Sequence, residues 1–317
     1  MKTPNDILKE YWGFSEFRPL QLDIIESVLA GHDTLALLPT GGGKSLCFQV
    51  PAMCMDGICI VVSPLIALML DQVQRLKEQN ISAIAITSSM SKREIDVAFD
   101  NCVYGKTKFL YLSPERLNTE IARVRISRMQ VCFIAVDEAH CISQWGYDFR
   151  PPYLDIAEIR DILPGKPILA LTATATPKVA EDIQEKLKFS KTKKDFSQSF
   201  ARHNIAYIIR KTEDKNGQLF RLAERVQASG IVYVRNRRKT QELALLLQSS
   251  GISATYYHAG LNAQERQLRQ QQWLENKAKV MVATNAFGMG IDKPDVRFVV
   301  HMDLPDSPEA YFQEAGR

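Results

Sequence analysis

The apolar run Leu35-Ala36-Leu37-Leu38 leads into Pro39-Thr40-Gly41-Gly42-Gly43-Lys44-Ser45, and an apolar helix start, Leu46-Cys47-Phe48, follows at once. No other stretch of the chain restricts the fold so tightly. A strand that becomes a helix across three glycines can wrap its backbone N–H groups round a phosphate. The helix start adds the positive end of its dipole. Thr40, Gly41, Gly42 and Gly43 form the cradle. Lys44 can reach the β- and γ-phosphates of a nucleotide, and the Ser45 hydroxyl can ligate Mg²⁺. The strict G-x-x-x-x-G-K-[ST] pattern is not met, because Leu38 holds its first glycine position. The tighter Pro-Thr-Gly-x-Gly-Lys-Ser form serves the same geometry. A glycine-rich strand–helix turn without a ligand is the plain alternative.

A turn of this kind belongs to a parallel sheet, and the remaining pattern supplies one. Short apolar runs recur at residues 34–38, 58–62, 108–112, 131–136 and 168–171, and again at 205–209, 231–234, 279–283 and 296–300. They are apolar throughout rather than alternating, as strands are when both faces of their sheet are covered. Helical patterns such as 64–78 and 239–247 lie between them. Strand–helix alternation predicts parallel α/β sheets with right-handed crossovers, and the pattern runs twice. Residues 188–203, with four lysines and three serines, carry no helix period. We place a domain boundary there, giving domains 1–204 and 205–317. A charged surface loop within one domain is the alternative.

The length, 317 residues, suits two ordinary domains. With 45% hydrophobic and 24% charged residues the chain is globular rather than disordered. The net charge of +4 excludes a histone-like binder. Residues 1–204 hold 24 basic and 24 acidic side chains, and residues 205–317 hold 16 and 12, so the surplus lies in the second domain. Its densest cluster is Arg235, Arg237, Arg238 and Lys239. A phosphate backbone could meet that cluster; a solvated face is the alternative. No apolar run approaches the roughly 20 residues that span a bilayer, and Met1–Asn5 begins no apolar signal region. A cytoplasmic protein, in a bacterial-type cytosol or nucleoid, is expected. Six cysteines form no C-x-x-C pair, so no structural zinc is expected.

Residues 131–136 end in Asp137-Glu138-Ala139-His140. Two carboxylates at the end of a buried strand are costly unless they meet a cation. Asp137 can hold Mg²⁺ opposite Ser45, and Glu138 can take a proton from an attacking water. A cap on the next helix is the plain reading of such a pair taken alone. Thr172 and Thr174 follow the run 168–171, and their hydroxyls could bridge from the acidic pair. Thr176 with Pro177 reads as an N-cap and first helical residue. Trp145, Phe149 and Arg150, close behind the acidic pair, could stack on unpaired bases and meet phosphate, or anchor the loop on the core. Trp273 reads as helix core, and His258 as a satisfied structural histidine or a site residue.

The phosphate loop, the Asp137–His140 box and Leu171-Thr172-Ala173-Thr174-Ala175 together resemble a superfamily 2 helicase, and other features resemble its RecQ family of DNA helicases. Tyr11-Trp12-Gly13-Phe14-Ser15-Glu16-Phe17-Arg18-Pro19-Leu20-Gln21 is similar to the RecQ adenine-recognition segment. By that resemblance Phe14 stacks on adenine, and Arg18 and Gln21 contact the base. The stretch from Cys141 through Gln144-Trp145-Gly146-Tyr147-Asp148-Phe149-Arg150 to Pro151 resembles the aromatic-rich loop that couples DNA contact to hydrolysis. Further matches lie at residues 63–69, 113–116, 257–261 and 283–293. The likeness runs from about residue 7 to 317. Tyr147 replaces the usual histidine, and residues 199–205 match the usual entry to the second domain only in part.

The resemblance implies two tandem RecA-like domains, α/β with mainly parallel sheets covered by helices on both faces. ATP·Mg²⁺ would be held between them, with Lys44, Asp137 and Glu138 on one side and Gln313 and Arg317 on the other. It implies single-stranded and partly duplex DNA as partner, contacted by Ser63, Pro64, Gln144, Trp145, Phe149, Arg150, Arg235, Thr284 and Asn285. Gly288 and Gly290 would give a tight loop, and Asp292 would orient Arg317 or meet the ribose. The implied activity is ATP-driven 3′–5′ translocation and duplex unwinding, in DNA repair and recombination, by a monomer. The chain stops at Gly316-Arg317, before the second Gly-Arg pair usual in the last motif. We therefore expect an incomplete second domain and slow hydrolysis. An RNA-directed helicase and a nucleotide-gated DNA-binding module with impaired hydrolysis stay open. A metabolic kinase with the same phosphate loop would leave the second domain unexplained.

Overall fold

Ile58, Ile60 and Val62 pack into one apolar cluster, while Cys59 and Val61 of the same strand pack into another. Successive side chains of a strand point to opposite faces, so this segment is buried on both. In the computed structural model, which describes residues 2–146, 148–199, 202, 204–287 and 293–317, the chain divides into two compact units, Met1–Phe200 and Ala201–Arg317.

The first unit is built on seven strands: β1 (Thr34–Leu37), β2 (Ile58–Val62), β3 (Ala83–Ile86), β4 (Phe109–Leu112), β5 (Val131–Val136), β6 (Ile168–Thr172) and β7 (Lys194–Ser197). They lie in the order β3-β4-β2-β5-β6-β1-β7, and every described pairing is parallel. β6 therefore lies between β1 and β5. Leu37 pairs with Thr172 and Val136 with Ala170, so the three strands end side by side. That places residues 38–45, Asp137–Glu138 and Thr172–Thr174 along one edge, where parallel sheets bind ligands.

The second unit holds β8 (Ser229–Tyr233), β9 (Ala254–Tyr257), β10 (Val280–Ala283) and β11 (Val296–His301), all parallel, in the order β11-β8-β10-β9. It too is filled on both faces. Val232, Val280 and Val282 join one cluster, and Ile231, Tyr233, Met281 and Ala283 another with Trp273 and Phe287. Trp273 is core, as its spacing predicts, and its indole N–H donates to the Gly230 carbonyl at 3.3 Å. Both units thus have the RecA-like α/β architecture.

The apolar run 205–209 is not a strand. Residues 204–214 are irregular, with Ile208 67% and Ile209 97% exposed. Strand propensity without a partner strand to complete its hydrogen bonds does not make a strand. Three strands lie outside the apolar runs read from the sequence: β3, which is nonetheless apolar throughout, β9 and the polar β7. β7 lies inside the lysine-rich stretch 188–203 and is held by backbone bonds, from Lys194 N to Asp33 O (2.9 Å) and from Gln198 N to Leu37 O (3.0 Å). Among the described residues no helix is long and apolar enough to cross a membrane. Tyr147, Phe200, His203, Gly288, Gly290 and Asp292 lie outside the described residues.

Candidate active site

The phosphate loop leaves β1 and enters the helix Leu46–Cys54. Gly41 and Gly43 take left-handed φ values of 72° and 77°, which other L residues adopt only with strain. A Cβ on Gly42 would lie 2.8 Å from the Pro39 carbonyl oxygen, so the turn closes too tightly for a side chain. The loop is gripped from outside by two residues of the N-terminal segment. The buried Gln21 amide donates to the carbonyls of Gly43 (3.0 Å) and Gly42 (3.3 Å). Its oxygen accepts from Arg18 N at 2.9 Å, and the Arg18 guanidinium donates to the Gly41 carbonyl. The segment expected to read the base is thus tied to the loop expected to hold the phosphates. Phe14 is 54% exposed beside it in sequence.

Asp137 and Glu138 are both buried, at 5% and 8% exposure. Burial and the adjacent Glu138 carboxylate push the Asp137 carboxyl up to about 7, while the Lys44 ammonium pulls the other way. The Asp137 side chain accepts from Glu138 N at 3.0 Å, and its carbonyl accepts from the Tyr153 hydroxyl at 3.0 Å. Glu138 has φ 48°, a left-handed conformation that is rare for a side chain of its size and typical of strained functional positions. Its Oε2 is buried without a hydrogen-bond partner. The nearest cation-capable group is His140 Nδ1 at 3.4 Å. That nitrogen lies 2.8 Å from the Thr172 hydroxyl, and burial holds the His140 pKa down against the pull of Glu138 and Asp148. The neutral ring does not neutralise Glu138.

Thr172 also accepts from Thr174 N at 3.2 Å, and the buried Thr174 hydroxyl has no hydrogen-bond partner. Glu138, His140, Thr172 and Thr174 are therefore one connected set at the strand ends. Thr176 caps the next helix, Pro177–Lys186, as its sequence predicts. Sequence reasoning missed His140 as the neighbour of Glu138, and Tyr153, whose place among prolines carries no signal.

The wild-type carboxyl at 137 costs stability in a definite pH range. Its folded pKa lies above the unfolded value, so its contribution is most favourable below about pH 4 and is lost as pH rises through about 7. The nucleotide-free Asp137→Asn protein should melt higher than wild type by roughly 5 °C at pH 8 and by little at pH 4.5. Thermal denaturation at the two pH values checks this; an equal gain at both would overturn it.

Ser63 follows β2, and its N–H is taken by the Leu112 carbonyl at 3.1 Å. Pro64 has no N–H, and the next helix runs Ile66–Glu78. The amides without an intrahelical acceptor are therefore those of Ile66, Ala67 and Leu68, not those of Ser63 and Pro64. The Ser63 hydroxyl is buried without a partner. Gln144 and Trp145 are exposed, and Phe149 is half-buried. Arg150 is not a free cation. Its guanidinium holds the Asp148 carboxylate (3.0 and 3.2 Å) and the Pro64 carbonyl (3.1 Å), and its N–H bonds to the Cys141 carbonyl (2.8 Å). Arg150 thus closes the aromatic loop and ties it to the Ser63–Pro64 corner. His140, Cys141 and Asp148 also bring donor atoms within 4.8 Å of one another. The Arg150 guanidinium already occupies that carboxylate, and burial keeps the Cys141 thiol protonated.

In the second unit the basic cluster is largely paired. Arg235 meets Asp306 at 2.5 Å and Arg238 meets Glu242 at 2.7 Å, while Lys239 lies 3.9 Å from Asp303. Thr284 is buried and Asn285 exposed at the end of β10. Gln313 is buried on the helix Pro308–Ala315. The Tyr233 hydroxyl donates to the Phe287 carbonyl at 3.0 Å; burial raises its pKa and the Arg317 cation opposes that shift, while the Arg317 Nε is buried without a hydrogen-bond partner. His301 Nε2 donates to the Glu314 carboxylate at 2.8 Å and its ring stacks on Tyr233 at 5.4 Å, fixing the helix that carries Gln313 and leads to Arg317.

The sequence profile of the DEAD/DEAH box helicase family matches residues 18–183, and that of the helicase conserved C-terminal domain matches 214–317. The chain is 44% identical to the ATP-dependent DNA helicase RecQ of Haemophilus influenzae, over 99% of this chain and 51% of that protein. It is 43% identical to the probable ATP-dependent DNA helicase RecS of Bacillus subtilis, over 98% of this chain and 63% of that one. The chain thus spans about half to two-thirds of the length of these relatives. Among solved structures, the Mycobacterium smegmatis helicase Lhr bound to ssDNA and AMP-PNP superposes with a TM-score of 0.76 at 20% identity, covering 98% of this chain and 45% of that one.

Proposed function

The chain belongs to the DEAD/DEAH box helicases, and to their RecQ type, and from that premise we propose that it is the motor core of an ATP-dependent DNA helicase. In this reading it hydrolyses ATP and moves 3′ to 5′ along single-stranded DNA, unwinding partly duplex DNA in repair and recombination. One observation carries the hydrolytic part. Glu138 presents a buried, unpartnered carboxylate oxygen at the strand-end edge that also bears the phosphate loop. Such an oxygen has its lone pairs open to accept a hydrogen bond from a water and then its proton.

Lys44 and the Gly41 and Gly43 amides bind the phosphates, while the Gly42 amide donates to the Pro39 carbonyl at 2.9 Å and closes the turn; Arg18 and Gln21 hold the loop in shape, and Phe14 is exposed to stack on the base. The raised Asp137 carboxyl, crowded by Glu138, fits a hard divalent cation, and the Ser45 hydroxyl is the second oxygen donor. Asp137 and Ser45 would hold Mg²⁺, which when bound would supply positive charge beside the phosphates. Gln313 and Arg317 are the second unit's contribution to hydrolysis. Trp145, Phe149 and Gln144 meet unpaired bases, while Ile66–Leu68, Thr284, Asn285 and Arg235 meet phosphates; Arg150, spent internally, shapes the loop.

The test is ATP turnover with matched DNA and RNA single strands, with Glu138→Gln as control. Stimulation by DNA alone, absent in the control, supports the proposal. Equal stimulation by RNA would make the chain an RNA-directed helicase. No turnover, with nucleotide-dependent DNA binding retained, would make it a clamp rather than a motor.

A further inference from the structure

Trp145 is 64% exposed on the loop behind the acidic pair, yet one face of its indole is covered by the chain itself: Lys178 Nζ lies 3.2 Å from the ring centroid. Lys178 is the second residue of the helix Pro177–Lys186. That is a poor place for a cation, because the helix dipole presents positive charge at its N-terminus. Among the described residues no carboxylate pairs with Lys178. Its helix dipole is opposed and no acid offsets it, so the ring is the partner that holds the ammonium.

The helix has a second connection. Its N-cap, Thr176, follows Thr172–Thr174, and Thr172 meets His140 at 2.8 Å beside Glu138. The exposed ring and the hydrolytic carboxylate are thus joined through one short helix start. We propose that Lys178 is a positioning residue: it holds Trp145 with one face covered and the other offered to an unpaired nucleobase, and it ties occupancy of that face to the threonine segment beside Glu138. The inference rests on the DNA-motor reading above and adds a residue that no phosphate-binding role requires.

A double-mutant cycle on full chains tests it, with oligothymidylate-stimulated ATP turnover as readout. Lys178→Ala should raise the oligothymidylate concentration for half-maximal stimulation by roughly three- to tenfold. Lys178→Arg should restore most of that loss, since a guanidinium also sits on an indole face. In a Trp145→Ala background Lys178→Ala should add nothing. A multiplicative combination of the two losses, with the salt slope of DNA binding lowered by about one in Lys178→Ala, would make Lys178 an independent phosphate contact and overturn the inference alone. So would an unchanged Lys178→Ala protein. A wild-type chain that no DNA strand stimulates would overturn the DNA reading and this inference with it.

Discussion

Replacing Glu138 by glutamine is expected to lower ATP turnover by about 10²–10⁴-fold while nucleotide binding persists. The amide keeps the shape and the left-handed backbone setting but cannot take a proton. Glu138 suits the role because the protein does not neutralise it. Its Oε2 is buried without a hydrogen-bond partner, and the neutral His140 ring is engaged with Thr172. Single-turnover hydrolysis and fluorescent-nucleotide binding separate the two effects. A variant that turns over within tenfold of wild type would show that the base lies elsewhere.

Lys44→Ala should remove turnover more completely, by about 10³-fold or more, and weaken nucleotide binding as well. The lysine does two things at this edge. In the proposed reading it offers an ammonium to phosphate, and it pulls the Asp137 carboxyl down against burial and the Glu138 carboxylate. Its loss leaves two buried carboxylates without a nearby protein cation. The carboxylates of that variant should therefore attract Mg²⁺ more strongly, so its residual nucleotide binding should saturate at lower Mg²⁺, whereas Glu138→Gln should require more. Equilibrium binding across a Mg²⁺ series reads this contrast, and the same requirement in both variants would contradict it.

Where burial on both faces decides the structure, the residues announce it. The continuous apolar runs ending at Val62, Val136 and Thr172 are strands packed into clusters on each side of the sheet. Where backbone pairing decides, they do not. Lys194–Ser197 reads as linker because an edge strand needs no apolar face. The run 205–209 reads as strand because Ile and Tyr carry the propensity, yet no described strand pairs with it. The candidate site follows the same division. The strand-end places of Lys44, Ser45, Asp137 and Glu138 are legible from the glycine loop and the acidic pair, which the structure sets along one edge at the ends of β1 and β5. Arg150 reads as a free cation, and only the turn that brings Asp148 and Pro64 against it shows otherwise. Lys178 gives no signal at all, since its meaning is the ring it covers.

The polar edge strand has a consequence for how the chain survives crowding. β1 carries the phosphate loop, and without β7 it would end the sheet with a row of open backbone donors and acceptors. Such a row invites a strand from another chain. β7 occupies it with Lys194, Asp195 and Ser197, whose charge and polarity suit an edge that should not recruit a neighbour. The strand that leads into the glycine loop is thereby kept from becoming a seed for misassembly by a neighbour of four residues.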